Sequence, residues 1–142
     1  MSDTPLSNPD LAGIYSLPPA RRGEIERSAR QLHLRQSHLE IAPGQMADAV
    51  LDQLGRVLHF PAWYGANFDA LYDCLTDPEC LPGKGRVLMI SGGNDLRTYD
   101  PEGFAILLEV FSAAADERRT TGSPLWVLLD TPALGIDTLP AT

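Results

Sequence analysis

The segment from Trp63 to Glu79 gathers the side chains whose types and spacing could do chemistry. Carboxylates fall at Asp69, Asp73 and Asp77, with Glu79 just beyond, and no Lys or Arg occurs between Arg56 and Lys84. At about 100° per residue, the three aspartates of a helix lie within roughly 80° of one another on one face. Phe68, Leu71, Cys74 and Leu75 occupy the opposite side and face the core, with Tyr72 on the border. Like charges at i, i+4 cost a helix roughly 0.2–0.5 kcal/mol per pair. Asp69, near the helix start, recovers part of this from the dipole; Asp73 and Asp77 do not. Such local conflicts tend to mark places where function is served, although an ordinary solvated face would carry the same charges. The flanking aromatics Trp63, Tyr64 and Tyr72 favour a binding hot spot, with packing of the turn a second use for Trp63 and Tyr64. The chemistry is recognition of a basic partner.

Other chemistries lack their residues. Gly92-Gly93 follows an apolar run where a phosphate loop could sit, but neither the spaced glycines of a dinucleotide site nor a Gly-Lys-Ser/Thr loop is present. Gly83-Lys84-Gly85 precedes a strand pattern, not a helix that could receive phosphate. Cys74 could be a nucleophile with His33, His38 or His59 as base, yet its spacing puts it beside Leu71 and Leu75, as a packed, inert thiol. Cys74 and Cys80 lack the paired spacing of zinc ligands. The expectation is no catalytic residue, no metal and no cofactor.

The elements that must position the acidic row follow from pattern and punctuation. Asn67 is a good N-cap for a helix running to about Thr76. Ahead of it, Met46 to Leu58 repeats Met46, Ala49, Val50, Leu54, Val57 and Leu58 at helical spacing, and Pro61 ends that element. Pro19 to Leu32 and Pro101 to Arg118 are further helices. Phe104, Leu107, Leu108, Phe111 and Ala115 of the latter point inward, and Arg118-Arg119 suits its C-terminal dipole. Gln36 to Ala42 alternates as a strand, while Arg86 to Ser91 and Leu125 to Leu129 are apolar runs expected of strands buried on both faces. Leu11 to Leu17 is a short strand or an ordered arm, and Gly92 to Asp95 a loop. Strands alternating with helices predict an α/β fold, a small parallel sheet of three or four strands packed with helices. Residues 1–10 are expected as a flexible tail, 11–131 as one domain (11–34 an extension, 36–130 the core), and 132–142 as a loose tail.

Composition narrows the class. The chain of 142 residues is 44% hydrophobic, enough for a core, and has a formal net charge of −8. That charge repels nucleic acid and anionic membranes and suits a basic partner. No apolar run reaches the roughly 20 residues that span a bilayer. The polar N-terminus lacks a secretory pattern, and two cysteines make no disulfide framework. A cytoplasmic location is therefore expected.

Trp63-Tyr-Gly-Ala-Asn-Phe-Asp-Ala-Leu-Tyr-Asp-Cys-Leu-Thr76 is similar to the signature of the barstar family, intracellular inhibitors of a secreted ribonuclease. The match runs through Tyr64, Gly65, Asn67, Asp69, Ala70, Leu71, Asp73, Cys74, Leu75 and Thr76. A weaker resemblance continues through the Arg86 strand, Leu108-Glu-Val-Phe111 and the Leu125 strand, covering roughly Gln36 to Asp130. It implies inhibition by plugging a ribonuclease active site, with carboxylates standing in for RNA phosphate. Asp73 would be the central anchor against the enzyme's Arg and His groups, Asp69 a second charge, and Trp63 and Tyr72 packing contacts. The surface so implied comprises Trp63, Tyr64, Gly65, Asn67, Asp69, Tyr72, Asp73, Thr76 and Asp77. Three departures stand out. Asp77-Pro78 replaces the family's Gly-Trp, Ala113 stands where the family uses a glutamate, and Cys80 does not match the family's second cysteine. The implied partner is a basic, extracellular-type ribonuclease or related toxin, bound by a monomer that takes no nucleic acid. An immunity or adaptor protein with the same fold and a non-ribonuclease partner is the alternative, and an enzyme using Cys74 the most distant one.

Overall fold

The architecture is a four-stranded, all-parallel sheet with helices on both faces, seen in a computed structural model that describes residues 4–141. The elements are β1 (Ile14–Ser16), α1 (Arg22–Gln31), β2 (Arg35–Glu40), α2 (Ala47–Val57), α3 (Phe68–Thr76), β3 (Arg86–Ser91), α4 (Gly93–Tyr99), α5 (Pro101–Arg119) and β4 (Leu125–Leu129). Strand order is β1-β4-β3-β2, with Arg35 opposite Arg86, Arg86 opposite Leu125, and Ile14 opposite Val127. The two apolar runs are the central strands, buried at every position except Ser91. The edge strand β2 alternates, with Ser37 and Leu39 inward and Arg35, His38 and Glu40 in solvent.

Period-two alternation divides the core. Leu88, Ile90, Leu125, Val127 and Leu129 join Leu39 and the inward residues of α2, α3, α4 and α5 in one cluster. Val87, Met89, Trp126 and Leu128 meet Ile25 and Ala29 of α1 in the other. In α2 the buried residues are Ala47, Val50, Leu51 and Leu54; Met46 and Ala49, expected on the apolar face, are exposed. Met46 is the extended N-cap and not part of the helix, and the inward stripe runs through Ala47, Val50, Leu51, Leu54 and Leu58, which leaves Ala49 on the solvent side.

The chain ends depart from expectation. Residues 4–10, expected as part of a flexible tail, form two single-turn helices, Pro5–Ser7 and Pro9–Leu11. The Thr4 hydroxyl accepts from the Leu6 amide and the Asn8 side-chain Oδ1 from the Asp10 amide. Leu6 is buried against the α1 side of the sheet, so an apolar residue isolated in sequence is not isolated in space; residues 1–3 lie outside the described residues. At the other end, the Ser16 amide donates to the Asp137 carbonyl (2.9 Å) and the Leu139 amide to the Ser16 carbonyl (3.0 Å). These bonds use the open edge of β1, and Leu139 is buried. The expected loose tail is therefore pinned, apart from Thr142, which lies outside the described residues.

The expected loop at Gly92–Asp95 instead begins α4. Its cap is supplied from a distance: the Asp130 carboxylate accepts from the Gly92 amide (2.9 Å) and the Gly93 amide (3.3 Å). The amides that a phosphate would need are thus taken by a carboxylate of the chain itself. Gly92 has φ +85°, and a Cβ there would lie 2.2 Å from the Ile41 carbonyl oxygen, so only glycine fits.

Candidate protein-binding surface

The chain between α2 and α3 is built around one ring. Tyr64 lies against Gly55, where an added Cβ would come within 2.7 Å of the ring. Its hydroxyl donates to the Leu51 carbonyl at 2.7 Å, and it meets Phe60 edge-on at 4.9 Å. Burial pushes the Tyr64 phenol up, with smaller contributions from Cys74 and Asp52, so the group stays a donor. His59 and Ala66 bracket the turn with φ of 57° and 52°. Tyr64 is spent on holding this turn, and the turn throws its neighbour outward: Trp63 is 58% exposed.

Helix α3 follows. Asn67 caps it, its side-chain oxygen accepting from the Ala70 amide at 2.8 Å, and Asp69 sits in the first turn, where the dipole favours an acid. Leu71, Cys74 and Leu75 are buried, as expected; Phe68 is only half-buried. Tyr72 is half-buried against the core, on the border between faces. Asp69 and Asp73 are exposed. Among the described residues neither makes an ion pair. Trp63, Gly65, Asn67, Phe68, Asp69, Ala70 and Asp73 line an open depression of about 660 Å³.

Asp77 does not continue the acidic row. The helix ends at Thr76, and Asp77 is its C-cap in extended conformation. Its carboxylate accepts from the Glu79 amide at 2.8 Å, and its carbonyl accepts from the Cys80 and Leu81 amides. Pro78 leaves no further helical turn to form, so the projected third position is lost. Asp77 and Glu79 instead line a smaller depression of about 280 Å³ with His59, Pro61, Trp63 and Cys80, on another flank of the same tryptophan. The Thr76 hydroxyl donates to the Tyr72 carbonyl at 2.8 Å.

One residue that positions this surface was invisible as such in the sequence. Arg118 of α5 is 2% exposed. It donates to the Leu75 carbonyl at the end of α3 (3.1 Å), the Leu81 carbonyl (3.2 Å), and the Ser123 carbonyl and hydroxyl. It satisfies an orphan carbonyl of the acidic helix and fixes the loop behind it. Only its place in the last turn of α5 hinted at a helix-end role.

Cys74 is fully buried. Burial, then its hydrogen bond with the Cys80 thiol and the charges of Asp77 and Asp73, push its thiol up to about 12. Such a group is protonated at neutral pH and a poor nucleophile. Among the described residues no three His, Cys, Asp or Glu side chains are arranged to hold a metal ion, and no helix is long and apolar enough to cross a membrane.

No curated protein matches the chain. The family model for Barstar (barnase inhibitor) matches residues 34–130, from just before β2 to just after β4. That span holds α3 and three of the four strands; β1 and α1 precede it. The chain belongs to the barstar family, whose members are ribonuclease inhibitors.

Proposed function

We propose that this protein inhibits a ribonuclease by seating the exposed face of α3 in the enzyme's active site. The observation that carries the reading is the pair Asp69 and Asp73, exposed one turn apart and, among the described residues, without an ion-pair partner, beside an exposed tryptophan. Two carboxylates at that spacing offer acceptors where an enzyme expects RNA phosphates, and arginine pairs well with both. Asp73 is the central anchor and Asp69 the second charge, while Trp63 and Tyr72 cover the rim. Gly65, Asn67 and Thr76 shape the surface, Tyr64 supports it from behind, and Asp77 belongs to the flank beyond Trp63. The partner is a basic, extracellular-type ribonuclease or related toxin, met in the cytoplasm by a monomer.

Binding of a small microbial ribonuclease, followed by calorimetry, tests this. Asp73→Ala should weaken binding by more than ~2 kcal/mol, as at a central hot spot, while Asp116→Ala, whose carboxylate pairs with Arg119 on α5, should change it little. Equal losses from both would replace a defined site with diffuse attraction. The departures at Asp77-Pro78 and Ala113 favour a second reading, an adaptor or immunity protein for another basic partner. Capture of a nuclease from native lysate by the wild type, lost in Asp73→Ala, would separate the two.

A further inference from the structure

The ends of β3 and β4 frame a small cavity on the α1 side of the sheet, with a volume of about 190 Å³. Leu17, Pro19, Met89 and Leu128 supply its apolar lining, and Arg22, Ser91 and Asp130 bring polar groups to it. Leu17, Met89 and Leu128 belong to the core cluster on that side. Ser91 and Asp130 lie two residues beyond Met89 and Leu128 and fall on the same side by the period of a strand. The connections explain the position. The chain leaving β1 passes into α1 on this side of the sheet, whereas the chain leaving β3 enters α4 on the other. In open parallel sheets such a divergence opens a crevice beyond the carboxyl ends of the strands, where small ligands bind. Leu17, Pro19 and Arg22 precede residues 34–130, so one wall of the cavity comes from outside the span matched to the family.

Two opposite charges line this cavity and do not meet. Among the described residues Arg22 pairs only with Glu26, at 3.7 Å, and Asp130 with no cation. Both are open to solvent, the Arg22 side chain being 45% exposed. Arg22 Nη2 also shares a hydrogen bond with His38 Nδ1, which leaves donors of its fork for a further acceptor. Asp130 Oδ2 accepts from the Gly92 amide at 2.9 Å and has a lone pair for a second donor.

We propose that this cavity binds a free amino acid with an apolar side chain of leucine or phenylalanine size. The side chain lies on Leu17, Met89 and Leu128. The α-carboxylate meets Arg22, and the α-ammonium meets Asp130 with the Ser91 hydroxyl beside it. An apolar cavity of about 150 Å³ holds a benzene molecule, so about 190 Å³ takes one ring or branched side chain and excludes a longer peptide. An acid and a base at one mouth select a zwitterion: a simple anion would face Asp130, and a simple amine would face Arg22, each without compensation.

The test is amide NMR of the full chain, titrated at about pH 7 with L-leucine or L-phenylalanine up to about 20 mM. Saturable shifts are expected at Leu17, Ser91, Leu128 and Asp130, with half-saturation at or below about 1 mM. Hydrocinnamate lacks the ammonium and phenethylamine the carboxylate, and each should bind at least about tenfold more weakly than phenylalanine. Arg22→Gln should weaken phenylalanine binding by a similar factor, whereas Arg27→Gln, on the same helix but outside the cavity, should leave it unchanged. The absence of a saturable shift, or shifts confined to other residues, overturns the proposal. So does equal binding of either analogue, which means that the apolar lining alone is recognised, or undiminished binding by Arg22→Gln. The analogue comparison needs no variant to fold, and none of these readings involves a ribonuclease.

Discussion

Adjacent aromatic residues have divided labour at the surface. Trp63 and Tyr64 read alike in the sequence, as contacts or as turn packing. The structure gives Tyr64 the packing, with its ring on Gly55 and its hydroxyl on Leu51, and leaves Trp63 in solvent. The choice depends on a glycine nine positions upstream, which no local pattern around Trp63 could show. Gly55→Ala is therefore informative. In an open helix this change stabilises by roughly 0.5–1 kcal/mol; here the new methyl must displace the Tyr64 ring, and overpacking costs ~1–3 kcal/mol. A net loss of stability in urea unfolding is expected, and a gain of about 1 kcal/mol would show that the ring does not need that space. Cys74 gives a second prediction. Its folded-state value near 12 lies above that of an unfolded thiol, so the folded chain holds its proton more tightly. The associated stability is complete below about pH 8.5 and declines as pH rises towards 12. Alkylation of the native protein at pH 8 should be slow and limited by opening. Rapid labelling would revive Cys74 as a nucleophile.

At the scale of elements, legibility followed the distance to the cap. Helix α3 could be read because Asn67, three residues from the amide it caps, announces its start. Strands β3 and β4 could be read because a strand buried on both faces needs an unbroken apolar run. Helix α4 could not: its seven residues follow a left-handed glycine, Gly92, and are capped by Asp130 from just beyond β4. Asp77 falls off the projected acidic face for a related reason: it lies one residue past the end of α3, as the extended C-cap. Long-range caps also tie the elements together. The Asp100 carboxylate accepts from the Gly103 amide at the start of α5 (3.0 Å) and from the Ala47 amide at the start of α2 (2.9 Å). A single cap contributes about 0.5–2 kcal/mol, so Asp100→Ala, which uncaps two helices, should cost about 2–3 kcal/mol in chemical denaturation. A cost below 1 kcal/mol would mean that one of the two bonds contributes nothing. Arg118→Met keeps the volume but leaves the Leu75 and Leu81 carbonyls unpaired in the interior, with an expected loss of about 2–4 kcal/mol. Because it frees the end of α3, it should also weaken ribonuclease binding, although Arg118 lies behind the surface.

For the whole molecule, the parallel α/β order was legible from strands alternating with helices, while the ends were not. Leu6 and Leu139 gain partners only once β1 stands beside β4 and α1 covers that face, and a single leucine in a polar segment carries no period. The net charge of −8 acts at the same scale. Long-range attraction to a basic enzyme is screened over about 8–10 Å at physiological salt, so raising salt should slow association far more than it speeds dissociation. A salt effect confined to dissociation would contradict electrostatic steering. The central claim, that the α3 face plugs a ribonuclease active site, is tested most directly by RNA cleavage. A panel of small microbial ribonucleases would be titrated with the native protein and with Asp73→Ala. The account predicts stoichiometric loss of cleavage for at least one enzyme, competitive with RNA and largely abolished by the substitution; undiminished inhibition by Asp73→Ala, or no inhibition of any enzyme, would contradict it.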